Sequence, residues 1–350
     1  MKHQHILVIR FSALGDVAMV VPVVSSLARQ YPDVRITVLS RPFARPLFDQ
    51  LAPNVAFMGA DLKGEYHGVK GLNSLFRRLT AKQFTHVADL HNVLRSEYLR
   101  LRFNLGLYRV EHIDKHRKER RRLTARGSNR QLDPLPTAIN NYLDVFQRLG
   151  FPVELDFQSL FPPEGADLSL LPPPLQTKPE GQQWIGIAPF AAHQGKVYPP
   201  EQMQQVIRML AQQRPEARLL LFGRGQQEDE LFPQWCQETP QCIHVSQYAQ
   251  TISDELALMS HLSVMLSMDS ANMHLASLTG TPVLSIWGAT HPYAGFMGYR
   301  QPMENAIQLP MDCRPCSIFG QKPCWRGDYA CLRDIRPETI VERILFITKP

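Results

Sequence analysis

Ser267-Met268-Asp269-Ser270-Ala271-Asn272-Met273-His274-Leu275-Ala276-Ser277-Leu278-Thr279-Gly280-Thr281-Pro282-Val283-Leu284-Ser285-Ile286-Trp287-Gly288 is the stretch that decides the fold. Leu262–Ser267 reads as a strand, and so does Pro282–Trp287. Between them Ser270–Thr279 has helical character and opens on a carboxylate and a hydroxyl. Strand, helix and strand in that order predict a βαβ unit, with parallel pairing and a right-handed crossover. The first-turn amides and the Ser270 hydroxyl can hold a phosphate, and Asp269 can accept from a ribose or from its own helix. His274, four residues after Ser270, shares its face, although a single histidine there also fits a packed core. Gly288-Ala289-Thr290 adds a second loop at the next strand end.

The same rhythm extends outward in both directions. Upstream in the second half lie a strand at Trp184–Ala188, a helix at Pro200–Gln213, a strand at Arg218–Phe222 and a helix at Asp254–His261. Pro337–Thr348 reads as a terminal helix. The first strand of this half runs into the small-residue loop Pro189-Phe190-Ala191-Ala192-His193-Gln194-Gly195-Lys196. That loop can offer backbone N–H groups and one ammonium to a phosphate, or simply carry a surface lysine. The first half begins with a strand at Ile6–Ile9, the turn Phe11-Ser12-Ala13-Leu14-Gly15-Asp16 and a helix towards Tyr31. Arg35–Ser40 and His86–Leu90 are further strands, with helices over about 94–104 and 140–149. Asp16 falls at the carboxyl edge of a parallel sheet, where open α/β folds bind ligands, and it also fits a helix cap. The turn lacks G-x-G-x-x-G, which argues against a dinucleotide oxidoreductase.

Phe161-Pro162-Pro163-Glu164-Gly165 and Leu171-Pro172-Pro173-Pro174 read as a stiff linker. The expected division is therefore 1–165, a linker at 166–180, 181–335, and a C-terminal helix at 336–350 that can return to the first half. Two successive α/β units in a chain of 350 residues predict two Rossmann-like domains with a ligand cleft between them. A hydrophobic content of 44% and a charged content of 20% exclude a disordered chain. No apolar run approaches the roughly 20 residues of a membrane span. The N-terminus enters a strand without the apolar core and cleavage site of a signal peptide, so a cytoplasmic protein is expected. The net charge is +6, and much of it sits in Lys115, Arg117, Lys118, Arg120, Arg121, Arg122 and Arg126. Such a block suits anionic partners or a solvated loop.

Three segments together resemble glycosyltransferase family 9, the heptosyltransferase family. Ile6–Asp16 is similar to the family's opening strand and catalytic turn. Asp89-Leu90-His91 followed by Leu94-Arg95-Ser96 is similar to its D-L-x-x-x-x-[KR]-S segment, and Asp269–Gly288 to its D-[ST]-G-x-x-H-L-A-x-x-x-G-x-P-V signature. The resemblance implies a GT-B fold and inverting transfer from ADP-L-glycero-β-D-manno-heptose to a lipopolysaccharide core acceptor at the inner membrane face. It implies Asp16 as the base and Lys196 as the cation for the departing diphosphate, helped by Ser270 and His274. Asp269, Ala191, Ala192 and Ala271 would border the donor, with Gly223, Gly225 and Glu228 beside the nucleoside. Ser12, Gly15, Arg95, Lys115, Arg117, Lys118 and Arg120 would meet the acceptor. The chain departs from the pattern where Ala191 and Ala192 replace hydroxyl side chains and where Ala271 replaces glycine. These departures bear on the identity of the donor sugar.

The absence of an Asp-x-Asp pair agrees with transfer that needs no metal or other cofactor. Cys313-Arg314-Pro315-Cys316, with Cys324 and Cys331, resembles a cysteine-containing tail of many members. Its spacing fits a structural zinc site or a reduced cluster of thiols, and the resemblance gives zinc no catalytic role. Two other readings stay open on the residues alone. A nucleotide-sugar epimerase shares the architecture and needs no acceptor. A nucleic-acid-binding protein would use the basic stretch, but no stacking aromatics are interleaved with it in sequence, so no nucleic-acid partner is expected.

Overall fold

The computed structural model describes residues 4–49, 51–106 and 108–349. The chain forms two compact units, one of Met1–Lys115 with Pro136–Gln158 and the other of His116–Leu135 with Ser159–Pro350. Each holds one parallel sheet.

In the first unit the strands are β1 (His5–Ile9), β2 (Arg35–Ser40), β3 (Val55–Gly59), β4 (His86–Asp89) and β5 (Arg109–His112). Their order is β3-β2-β1-β4-β5, all parallel. The helices are α1 (Leu14–Ala18), α2 (Val20–Gln30), α3 (Gly68–Thr80), α4 (Leu94–Leu105) and, after an excursion into the other unit as α5 (Arg117–Leu123), α6 (Ala138–Leu149). Ile6, Leu7, Val8 and Ile9 are fully buried because β1 is central, which is why it reads as an unbroken apolar run. Edge strand β5 (RVEH) carries polar residues and is only partly covered, so no apolar signal marks it.

In the second unit the strands are β6 (Trp184–Ala188), β7 (Arg218–Leu221), β8 (Cys242–His244), β9 (Val264–Met268), β10 (Val283–Ile286) and β11 (Ala306–Ile307). They lie in the order β11-β10-β9-β6-β7-β8, again parallel. The helices are α7 (Pro200–Gln213), α8 (Gln226–Glu238), α9 (Ile252–Met259), α10 (Ala271–Leu278), α11 (Ala330–Arg333) and α12 (Pro337–Ile347). The βαβ unit expected at 262–287 is present as β9-α10-β10, with Met265 level with Val283 and Met268 level with Ile286.

In each sheet the chain works outward on one side of the first strand and then crosses to the other side. The crossing leaves a switch point between β1 and β4 in the first unit, and between β6 and β9 in the second. Loops diverge there at the carboxyl edge, so ligands find a crevice.

Three segments differ from the sequence-based expectation. The Pro-rich stretch expected as a stiff linker is anchored on the second unit, where Leu168, Leu171 and Leu175 are buried. The Ala166 N–H donates to Ser260 Oγ at 2.9 Å, and Lys178 Nζ donates to the His261 carbonyl at 2.7 Å. The terminal helix α12 belongs to the second unit. Ile340, Val341 and Ile344 enter the second unit's core with Val206, Ile207 and Leu210 of α7. The basic stretch after Lys115, expected in the first half, belongs to the second unit from His116 to Leu135. Arg120 lies 5.3 Å from the ring centre of Phe296 and 5.7 Å from that of Phe319, and Leu135 N–H donates to the Tyr293 carbonyl. Charge density alone does not reveal such contacts. No helix among the described residues is long and apolar enough to cross a membrane.

Candidate active-site residues in the two units

At the first unit's switch point, Arg10 leaves the end of β1 and is almost fully buried. Its Nη1 donates to the Leu90 carbonyl at 2.7 Å, just beyond β4, and its Nη2 sits 2.7 Å from Asp16 Oδ2. Asp16 is the third residue of α1, and Oδ2 also accepts the Ala13 N–H at 3.2 Å. The capping function and the ion pair thus coexist on one carboxylate. Burial works against the Arg10 charge, but Asp16 and then Tyr142 outweigh it and hold the guanidinium above its usual range. Tyr142 of α6 donates its hydroxyl to the Asp16 carbonyl at 3.2 Å, fixing the turn from behind.

His91 completes this edge. It is buried, and the Phe11 N–H points to its Nδ1 at 3.4 Å, which puts the neutral ring's proton on Nε2. Burial, reinforced by Arg10, Lys115 and Arg95, pulls its pKa down to about 3, with Asp16 opposing. Arg95 is exposed in the first turn of α4 and Lys115 is half-buried. The cations that depress His91 therefore sit around the same edge as Asp16. Asp89, quoted with the D-L segment, is fully buried and structural in its contacts. One oxygen accepts the His91 and Asn92 N–H groups at 2.9 Å, and the other meets Arg100 at 3.2 Å. Ser96 Oγ accepts the Val93 N–H at 3.0 Å and so starts α4.

The lowered His91 pKa has a measurable consequence. The unfolded chain binds a proton at His91 near pH 6.5, whereas the folded chain resists until about 3. Between those values the unfolded state holds more protons, so stability rises with pH and is lost as pH falls through the window. The loss amounts to roughly 2 kcal/mol at pH 5 relative to pH 8. In His91→Asn, whose amide oxygen can still accept from Phe11, urea unfolding between those pH values should lack this component. An unchanged pH slope in the variant would contradict the assignment.

In the second unit, the loop after β6 and the end of β9 meet across the switch point. Lys196 Nζ lies 2.9 Å from Asp269 Oδ2, and both side chains are mostly buried. Glycine contacts hold the lysine in place. A β-carbon on Gly195 would come 2.8 Å from the Ala289 β-carbon and 3.0 Å from the Gly320 carbonyl oxygen. Gly320 has φ +79°, and a side chain there would strike the Lys196 stem at 2.7 Å. Gly195→Ala should therefore cost about 1–3 kcal/mol and displace the lysine. Urea unfolding reads the cost; full stability in the variant would show that the packing is slack.

Ser270 is the residue before α10, in extended conformation, and its hydroxyl lies 3.2 Å from Ser267 Oγ rather than over the helix amides. The Ser270 side chain does not cap the first-turn N–H groups of α10, which begin two residues beyond Asp269. Ala271 is half-buried in that turn, and His274 is buried one turn on. Ala191 is half-buried and Ala192 exposed in the loop leading to Lys196. After β7, Glu228 folds back over Gly223 and Gly225, whose φ values are +148° and +158°. A β-carbon at either glycine would lie 2.8–2.9 Å from the Glu228 side chain.

Arg314, which the sequence offered only as part of a cysteine motif, is 2% exposed. Its guanidinium donates to the carbonyls of Leu309 at 2.6 Å and Thr290 at 2.9 Å, and also to that of Gly288. Burial lowers its pKa to about 10, so it stays charged while bracing the loop after β10. The neighbouring Cys316 Sγ points to the Cys313 carbonyl at 3.2 Å. Cys313, Cys316, Cys324 and Cys331 are free thiols, and no group of three or more metal-binding side chains is arranged for an ion among the described residues. Of the residues expected at the acceptor, Ser12, Gly15, Arg95 and Lys115 lie in the first unit, whereas Arg117, Lys118 and Arg120 lie in the second.

The family model described as glycosyltransferase family 9 (heptosyltransferase) matches residues 72–319. Lipopolysaccharide heptosyltransferase 3 of Escherichia coli is 26% identical over 325 residues, covering 90% of this chain and 87% of the relative. A crystal structure of the family 9 glycosyl transferase from Veillonella parvula superposes with a TM-score of 0.73 at 18% identity, over 99% of this chain and 98% of that one. The Escherichia coli heptosyltransferase WaaC with ADP gives a TM-score of 0.68 at 14% identity, over 98% of this chain and 100% of that one. These structures share the GT-B fold, which accounts for the two parallel α/β sheets. The match covers well over half the sequence, and the chain belongs to glycosyltransferase family 9, the heptosyltransferase family.

Proposed function

We propose that the protein transfers heptose from ADP-L-glycero-β-D-manno-heptose to a lipopolysaccharide core acceptor at the inner membrane face, with inversion and without a metal. The observation that carries this reading is the buried Lys196–Asp269 pair at 2.9 Å, beside the open N-terminus of α10. An ammonium and helix amides at a sheet switch point suit a nucleoside diphosphate. The ADP bound to WaaC is consistent with that chemistry.

In this account Asp16 removes the acceptor hydroxyl's proton, and the oxygen attacks the anomeric carbon in line. ADP leaves from the opposite face. Lys196 and the first-turn amides of α10, with Ser270 and His274 alongside, stabilise the charge that builds on the diphosphate. Arg10 keeps the Asp16 carboxylate oriented through their 2.7 Å ion pair. Ala191, Ala192 and Ala271 border the sugar-diphosphate through backbone groups. Glu228, Gly223 and Gly225 lie near the nucleoside, and Ser12, Gly15, Arg95 and Lys115 meet the acceptor's hydroxyls and acidic groups.

Lys196 supplies a positive charge at the leaving group, so transfer to a truncated lipopolysaccharide acceptor should proceed undiminished in excess EDTA. Loss of transfer in EDTA, restored by a divalent ion, would overturn the metal-independent step. A same-fold transferase with another nucleotide sugar is the second reading, favoured by the departures at Ala191, Ala192 and Ala271. Titration with ADP-, UDP- and GDP-sugars separates the two.

A further inference from the structure

The basic stretch expected at the acceptor lies on the second unit with aromatic neighbours drawn from far along the chain. In α5, Leu123 is buried and Arg120 packs over Phe296 and Phe319, so one side of this short helix is seated. Its other side presents Arg117, Lys118, Arg121 and Arg122, all exposed. Just beyond it the exposed Arg126 lies 5.2 Å from the ring centre of Trp325, which is itself 54% exposed. Phe319 remains 44% exposed despite its contact with Arg120. The Gln131 N–H donates to the Arg122 carbonyl at 3.2 Å, which places Leu132, also 44% exposed, beside the end of the helix. The acidic groups in this region are the half-buried Glu119, the exposed Asp114, Asp133 and Asp312, and Asp328, which is paired with Arg326.

We propose that this face docks the second unit on an anionic phospholipid bilayer. Cations attract the negative surface, and an exposed tryptophan, with the exposed Phe319 and Leu132 on the same unit, can enter the interfacial zone, where indole rings partition favourably. The cations are spread along one side of the helix rather than converging on a point. That distribution suits a charged plane better than a single phosphate. Docking is a property separate from the transfer reaction, and it is tested without donor or acceptor.

The experiment is sedimentation of the full-length protein with vesicles of mixed phosphatidylglycerol and phosphatidylcholine, against vesicles of phosphatidylcholine alone. Binding should favour the anionic vesicles and weaken steeply from about 0.1 M to about 1 M salt. The double variant R121E/R122E should lose about 30-fold or more in partitioning. Trp325→Ala should lose about tenfold. Unchanged thermal unfolding midpoints in these surface variants show that the fold is intact. Equal binding to both vesicle types, or unaltered binding in both variants, would overturn the proposal. So would displacement from vesicles by lipid-free phosphorylated core oligosaccharide, which would make this an acceptor site. Preferential capture of a single-stranded oligonucleotide over anionic vesicles would also overturn it, in favour of a nucleic-acid face.

Discussion

Lys196→Ala should lower the turnover of glycosyl transfer by about 100- to 1000-fold, the usual cost of removing one preorganised charge-stabilising donor. The same change leaves Asp269 buried without its ammonium partner. Breaking a mostly buried pair from one side is destabilising, by up to about 3 kcal/mol where some solvent still reaches it. Two measurements separate these effects. Calorimetric titration with ADP should show affinity reduced at least about tenfold, because the lysine is proposed to face the diphosphate. Titration with adenosine should be unaffected, because the groups proposed to meet the nucleoside, Gly223 and Glu228, lie after β7 and away from the lysine's own loop. Equal loss of ADP and adenosine binding would mean that the lysine only holds the loop together.

Asp16→Asn is expected to cut turnover by about 100- to 10,000-fold through loss of the base. ADP affinity should be unchanged, since every group proposed to bind the nucleotide belongs to the other unit. The asparagine oxygen can still accept the Ala13 N–H, but Arg10 loses a charged partner at 2.7 Å. A modest fall in stability therefore accompanies the kinetic loss. Tyr142→Phe is the control. It removes a hydrogen bond to the Asp16 backbone and leaves the carboxylate in place, so turnover should change little. Full transfer activity in Asp16→Asn would remove this residue from the base role.

The central strands were legible in sequence because burial on both faces leaves no alternation to interpret. Ile6–Ile9 is a continuous apolar run for that reason, and Val264–Met268 is one except for the buried Ser267. Edge strands β5 and β8 carry no comparable signal, since neither has a long apolar stretch. Asp16, Lys196 and Asp269 could be singled out because each follows an apolar strand at the edge where parallel sheets bind ligands. Arg10 carried the same signal, a lone guanidinium closing an apolar strand, yet its role appears only when β1 and β4 are seen side by side. Gly195, Gly320 and Arg314 were beyond reach for a different reason. Their importance comes from contacts among β6, β10 and residues 309–320, and no local pattern records those approaches. The basic stretch shows the limit of charge as evidence. Its composition pointed to an anionic partner, but its place on the second unit depends on Phe296, Phe319 and Trp325, about 200 residues away along the chain.

The most direct test of the account is transfer from ADP-L-glycero-β-D-manno-heptose to lipopolysaccharide acceptors truncated at successive core sugars. The product is followed by mass, the released ADP by coupled assay and the new linkage by anomeric NMR. The account predicts one acceptor that gains one heptose per ADP released, with the anomeric configuration inverted. Absence of transfer to every acceptor, together with no binding of ADP, would contradict it.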